Sequence, residues 1–191
     1  MKKQSFILLL FFAVAFSGLA WTNYRQAVKR HNKLNSFFKK KKPAGNGYYI
    51  IIDKSDYELK VYDDEGWFAT YPIVFGSKDL SDKMREGDKR TPNGTFRIIL
   101  KKIHPKWGPE LLLDYPNDAS YKLFQERKAK GLIPANARIG NGIAIHATRP
   151  EEEWTVDKFY NWTDGCVSVK YTEMKDLYSY IDTGTSVTIQ P

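Results

Sequence analysis

The chain is poor in the residues that crosslink protein or chelate metal: it has one cysteine, Cys166, and three histidines in 191 residues. A single thiol excludes an internal disulfide, and a metal site would need more ligands than one cysteine and one nearby histidine supply. Acid is missing from the start of the chain, where residues 1–42 hold 10 Lys or Arg and no Asp or Glu. The remainder then carries 20 basic against 22 acidic residues, a net of −2, although the whole chain stands at +8. A nucleic-acid enzyme is expected to hold its positive field on the folded surface that meets phosphate, so this distribution argues against that class. There is no internal repeat and no low-complexity tract beyond the four lysines at 39–42.

A long apolar run is also absent. The stretch 6–19, preceded by Lys2 and Lys3 and with the small residues Gly18 and Ala20 at its end, falls short of the roughly 20 residues that span a bilayer. It reads as a secretion signal, cleaved or kept as an uncleaved N-terminal membrane anchor over residues 1–20. No cysteine stands directly after it, as a lipoprotein anchor would require. Arg25, Lys29, Arg30, Lys33 and the four lysines make 21–46 a basic linker. For an uncleaved anchor that flank would hold the domain in the cytoplasm by the positive-inside tendency.

What is present begins at a turn-rich break, Pro43-Ala44-Gly45-Asn46-Gly47, after which residues 47–191 read as one domain. Short strands are expected at 48–53, 58–62, 67–75 and 95–103, with the charged stretch 76–93 as a solvated loop. A helix is expected at 120–130, bounded by Gly131, and short strands at 142–147 and 167–169. Met174, Leu177, Tyr178 and Ile181 recur at helical spacing before Gly184, and 185–189 forms a last strand. The class is mostly β with two or three short helices.

Cys166 is either a small buried hydrophobe or a free thiol kept for chemistry. A thiol is a useful nucleophile only as thiolate, so the second reading needs a base. His31 lies in the basic linker and His104 precedes Pro105 at a strand end. His146 differs, because it closes the apolar strand Ile143-Ala144-Ile145 just before a polar excursion that returns at Gly165-Cys166. Two neighbouring strands joined by that excursion would set His146 and Cys166 side by side at one end of a sheet. Gly165 would permit a tight turn, and the amides of Gly165 and Cys166 would face a developing oxyanion. A core histidine and a core cysteine that happen to be close fit the same spacing.

His146, sixteen intervening residues and then Thr163-Asp164-Gly165-Cys166-Val167 resemble the active-site signature of the L,D-transpeptidase catalytic domain family. Upstream, Lys89-Arg90-Thr91-Pro92-Asn93-Gly94-Thr95-Phe96 is similar to that family's basic, Thr-Pro, Gly and aromatic segment. Leu113-Asp114-Tyr115-Pro116-Asn117 and Asn161-Trp162-Thr163-Asp164-Gly165-Cys166 look like the branch that processes lipoprotein links to murein. Two departures stand out: Asp164 where many members have His, and Ser168 where many have Arg two positions after the cysteine.

The resemblance implies a β-sandwich catalytic domain and acyl transfer on peptidoglycan stem peptides, with Cys166 as nucleophile and His146 as base. Its product would be a crosslink, a lipoprotein attachment or a hydrolysed peptide, depending on whether the acceptor is a stem-peptide amine, a lipoprotein or water. It implies no cofactor and an extracytoplasmic location, so the leader would be an export signal. Thr163, Asp164, Trp162 and Arg149 are candidate substrate-binding residues. Asp164 reads more readily as a turn residue capping local amides, and the excursion's aromatics as either a groove wall or loop packing. A wall-binding module that keeps the fold without catalysis is the rival from another class.

Overall fold

Residues 47–191 are described by a computed structural model; the leader, the linker and His31 lie outside the described residues. Eight strands follow in order: β1 (Tyr49–Asp53), β2 (Glu58–Asp63), β3 (Gly66–Val74), β4 (Gly94–His104), β5 (Gly108–Leu113), β6 (Ala144–Ala147), β7 (Val167–Val169) and β8 (Ser186–Gln190). Three helices, α1 (Asp118–Ala129), α2 (Trp154–Asp157) and α3 (Tyr171–Tyr180), and a 3-10 turn at Pro150–Glu152 complete the described elements. The fold is mostly β, with three short helices among the described residues.

Two sheets face each other and share two long strands. The first part of β3 pairs with β2, and its end, Ile73 and Val74, pairs with β7. Likewise β4 pairs with β8 over Gly94–Arg97 and with β5 from Ile98 onward. The sandwich expected from the sequence is thus hydrogen-bonded along both sides, a closed ring β1-β2-β3-β7-β6-β5-β4-β8 with no free edge.

The period-2 alternation of the strands decides what lies inside. Ile50 and Ile52, Leu59 and Val61, Ile73, Phe96 and Ile98, Leu111 and Leu113, Ile145, Val167 and Val169, and Val187 and Ile189 all point into one core. Met174 and Leu177 of α3 and Ile181 just past it join the core. Ile181 itself is already extended, so the helix ends at Tyr180, four residues before Gly184.

Strand β5 has no counterpart in the pattern reading. It opens Gly108-Pro109, and its three leucines serve a helix as well as a strand, so only pairing with β4 and β6 decides its conformation. The segment Asp114–Asn117 then leads into α1, whose N-cap Asn117 accepts from the Ser120 amide at 3.0 Å.

The charged stretch 76–93 lacks regular elements, but it is not simply solvated. Lys83 and Asp88 pair at 2.8 Å and are largely buried. Asp88 also accepts from the amides of Met84, Arg85 and Arg90. Lys54, 0% exposed just past β1, donates to the carbonyls of Leu80 (2.6 Å) and Thr91 (3.3 Å). A charge count cannot show that cations are buried when backbone carbonyls and a carboxylate satisfy them.

Candidate active site

The same alternation that sends Leu111, Ile145 and Val167 inward turns Glu110, His146 and Ser168 to the outer face of the sheet. Glu110 and His146 are cross-strand partners in the antiparallel β5–β6 pair, and His146 and Ser168 are partners in the parallel β6–β7 pair. An outer face would normally be wet. Here the excursion between β6 and β7 folds back over it, leaving His146 only 5% and Glu110 7% exposed.

Because β6 and β7 are parallel, the excursion must carry the chain back to the end where β6 began. Cys166 therefore enters two residues before the partner of His146, on the same face and on the diagonal. The two side chains expected side by side are offset by one turn of the pleat, a spacing of roughly 7 Å between diagonal positions. In the resting structure the half-buried Cys166 thiol donates to the Gly142 carbonyl at 3.4 Å. Loose contact between nucleophile and base is common before substrate binds.

His146 Nδ1 lies 2.8 Å from the Ala147 carbonyl oxygen. A carbonyl can only accept, so Nδ1 carries the proton and Nε2 of the neutral ring is left as acceptor. Burial holds the His146 pKa below the ordinary histidine value, against the Ala147 carbonyl and the Glu110 charge, which favour the cation. Burial likewise pushes the Cys166 thiol up; an Ala144 N–H on the sulfur opposes this, while Glu110 and Asp164 add to it. Burial thus favours the neutral form of both the thiol and the imidazole.

Gly165 has φ +129°, and a Cβ there would stand 2.7 Å from the Arg90 carbonyl. At Gly76 a Cβ would stand 1.9 Å from the Lys89 carbonyl and 2.9 Å from the Gly165 nitrogen. Three backbones meet at this point: the end of β3, the segment 89–91 and the nucleophile loop. The upstream Thr-Pro segment thus forms the back wall of the loop that presents Cys166.

Of the two amides expected to face an oxyanion, that of Gly165 donates to Thr163 Oγ1 at 3.2 Å instead, which leaves Cys166 N–H as the candidate of that pair. Thr163 is buried, and its hydroxyl also donates to the Cys166 carbonyl at 2.6 Å. Its polar atom is committed to the loop rather than to a ligand. The local capping expected of Asp164 is therefore done by Thr163. The Asp164 side chain is 89% exposed and meets Lys89 at 3.6 Å. Asn161 ties the same loop to β3 and to the β1–β2 turn, accepting from the Phe75 amide (3.1 Å) and donating to Tyr57 Oη (3.2 Å).

Trp162 packs edge-on to the His146 ring at 5.5 Å. Trp107, at the tip of the β4–β5 hairpin, lies 5.6 Å from His146 and 5.0 Å from Trp162. Arg149 stands over Trp107 at 5.4 Å and pairs with Glu152 at 3.2 Å. Trp154 and Tyr160, also on the excursion, are exposed and pack on each other at 5.7 Å. Trp107 and Glu110 lie far from the motif in sequence; the one hint was a carboxylate inside the apolar run of β5. Among the described residues no cluster of His, Cys, Asp or Glu is arranged to hold a metal ion.

The model of the L,D-transpeptidase catalytic domain family, YkuD, matches residues 47–189. The chain belongs to this family. No curated protein sequence matches it. Among solved structures, this L,D-transpeptidase domain is similar to Bd1075 of Bdellovibrio bacteriovorus (27% identity, TM-score 0.52, 76% of this chain and 48% of that one). It is also similar to the helical cell shape determining protein Pgp2 of Campylobacter jejuni (21%, TM-score 0.56, 81% and 54%). A third relative in fold is L,D-transpeptidase 3 of Mycobacterium tuberculosis, solved with a faropenem-derived adduct (13%, TM-score 0.51, 77% and 61%). The chain spans between about half and three fifths of the length of these structures.

Proposed function

We propose that this domain is a cysteine acyltransferase of the bacterial cell wall that transfers the acyl group of a peptidoglycan stem peptide to an amine. The observation that carries the reading is the His146 Nδ1 to Ala147 carbonyl contact, which leaves Nε2 as an acceptor on the sheet face that also bears Cys166. Membership of the family and the two sequence motifs support it.

In the first half-reaction the Cys166 thiol proton passes to His146 Nε2 as the sulfur attacks the scissile carbonyl carbon. The Cys166 N–H receives the oxyanion, the C–N bond breaks, and the imidazolium returns its proton to the departing amine. A thioester remains. In the second half-reaction the acceptor amine attacks that carbonyl, gives its proton to His146 and releases the thiol. Water in place of the amine gives hydrolysis, and a lipoprotein amine gives attachment. Burial that favours the neutral pair fits a proton transfer that occurs only when substrate closes the site.

Residues 1–20 serve in this reading as export signal or anchor and 21–46 as linker, placing the catalytic domain outside the cytoplasmic membrane. Incubation of the purified chain with muropeptides, read by mass spectrometry, should show an acyl-enzyme and a crosslinked product. Cys166→Ala should abolish turnover, and His146→Ala should lower it by about 10²–10⁴-fold. Full activity of the Cys166→Ala protein would overturn the mechanism. A periplasmic reporter at the C terminus tests the location; silence of that reporter would place the domain in the cytoplasm.

A further inference from the structure

Strand register sets a buried carboxylate beside the imidazole. Glu110 of β5 is the cross-strand partner of His146, and three residues along the same ladder the Leu113 amide donates to the Ile143 carbonyl at 3.0 Å. Hydrogen-bonded and non-hydrogen-bonded pairs alternate along an antiparallel ladder, so Glu110 and His146 form a pair of the second kind. In such a pair the Cα atoms stand about 4.5 Å apart, and the side chains leave the same face closer together than at the neighbouring pairs. Both residues are buried. A carboxylate buried in the run Pro109-Glu110-Leu111-Leu112 costs free energy that an apolar residue would avoid, so its charge calls for a use.

The charge lies to one side of the reacting pair. Cys166 enters β7, on the far side of β6 from β5, so it stands one further strand spacing, about 4.8 Å, away from Glu110. A proton passing from Cys166 to His146 therefore moves positive charge toward Glu110. Burial is the largest influence on both groups; against that background Glu110 favours the imidazolium and opposes the thiolate. The shorter distance to His146 makes the first effect the larger. On its other side His146 has Ser168 as register partner, a buried hydroxyl without charge.

The remaining charged groups around the imidazole are engaged elsewhere or further along the sheet. Lys102 of β4 pairs with Glu110 Oε1 at 3.1 Å from the side away from β6. His104 follows in the β4–β5 hairpin and opposes the His146 cation. Lys106 and Arg149 lie over the Trp107 indole, with Arg149 also held by Glu152. Asp164 and Lys83 act on the thiol, and they pair with Lys89 and Asp88. Glu110 is the carboxylate set against His146 itself.

Resting on the acyl-transfer reading above, we propose that Glu110 is a positioning residue of the reaction: its carboxylate, fixed by Lys102, is the counter-charge that stabilises the His146 imidazolium while Cys166 is a thiolate. Glu110 touches no reacting atom and acts through the base.

The test compares the whole chain with Glu110→Gln, which keeps the shape of the side chain and removes its charge. NMR titration of the His146 imidazole reads that group without turnover, and the pH profile of acylation by muropeptides reads it in the reaction. Glu110→Gln should move the His146 midpoint to lower pH by about one pH unit and carry the acid limb of kcat/KM down with it. The plateau should fall by up to about tenfold. A lower plateau with midpoint and acid limb unmoved would show a merely structural role and overturn the inference, as would a plateau equal to wild type. Lys102→Gln, at a half-exposed position, removes the opposing cation and should move midpoint and limb to higher pH. No movement, or movement to lower pH, overturns the inference even where Glu110→Gln fails to fold. A wild-type chain that forms no acyl-enzyme with any muropeptide overturns the acyl-transfer reading and this inference with it; the titration, which needs no turnover, tells that failure from the others.

Discussion

Gly76→Ala tests whether the nucleophile loop is held by a close backbone approach. The new Cβ would stand 1.9 Å from the Lys89 carbonyl, against about 3.4 Å for ordinary contact, so the two backbones must separate by roughly 1.5 Å. That separation stretches the Ser77 N to Lys89 O hydrogen bond, now 2.6 Å, and presses on Gly165. Overpacking of this kind costs about 1–3 kcal/mol, and a strained or lost hydrogen bond about 1 more. Without the clash the same change would stabilise by about 0.4–1 kcal/mol through the unfolded chain, so the sign alone is informative. A net loss of about 3 kcal/mol corresponds to a Tm lower by about 10 °C for a domain of this size. Thermal unfolding by circular dichroism measures it, with Gly87→Ala as control. Gly87 has φ +79° and nothing within 4 Å of its would-be Cβ, so it should lose only the cost of the backbone angle, about 1 kcal/mol. A Gly76→Ala protein that melts at or above wild type would refute the reasoning.

Other expectations concern titration. Burial raises the Glu173 carboxyl to about 7 from 4.5, with Glu153, Asp157 and Asp176 adding to the rise and Lys170 opposing it. Between those values the folded state binds more protons, so stability falls as pH rises from about 4.5 to 7. Glu173→Gln should therefore stabilise at pH 8, by up to roughly 3 kcal/mol less solvent screening, and should change little at pH 4; equal melting shifts at both pH values would count against this. Lys54 is lowered to about 8 from 10.5 by burial, against the pull of Asp82 and Asp79. The unfolded chain binds more protons over that interval, so stability contributed by this group rises with pH from about 8 to 10.5. Lys54→Met should flatten that limb of the curve, and an unchanged slope would contradict it. Alkylation of Cys166 by iodoacetamide should follow a midpoint above the ordinary thiol value near 8.5, since burial favours the neutral thiol. A midpoint near 6 would show a preformed ion pair with His146.

Residue order alone determined a great deal here. Short apolar or β-branched runs between turn residues, and in 58–62 strict alternation, marked seven of the eight strands, because a strand with a face in a core must carry apolar side chains there. Helical spacing marked α3 for the same kind of reason. A lone thiol in an exported-looking chain, one histidine at a strand end and a glycine before the cysteine were enough to name the two candidate reacting groups. Those signals are local, or rest on counting, and survive in one dimension.

What only the tertiary structure decided depends on which elements become neighbours. That β6 and β7 run parallel sets His146 opposite Ser168 and moves Cys166 to the diagonal, an offset that no spacing reveals. The Gly165 amide is taken by Thr163, and Asp164 reaches out to Lys89, because the loop closes on itself in a particular way. Lys83 is buried although its stretch reads as a solvated loop, since Asp88 meets it, and Lys54 is buried because the carbonyls of Leu80 and Thr91, distant in sequence, receive it. Trp107 reaches His146 through a strand, β5, that lacks a local signature and exists only through its partners. Pattern reports which face a residue takes; only packing reports what that face meets.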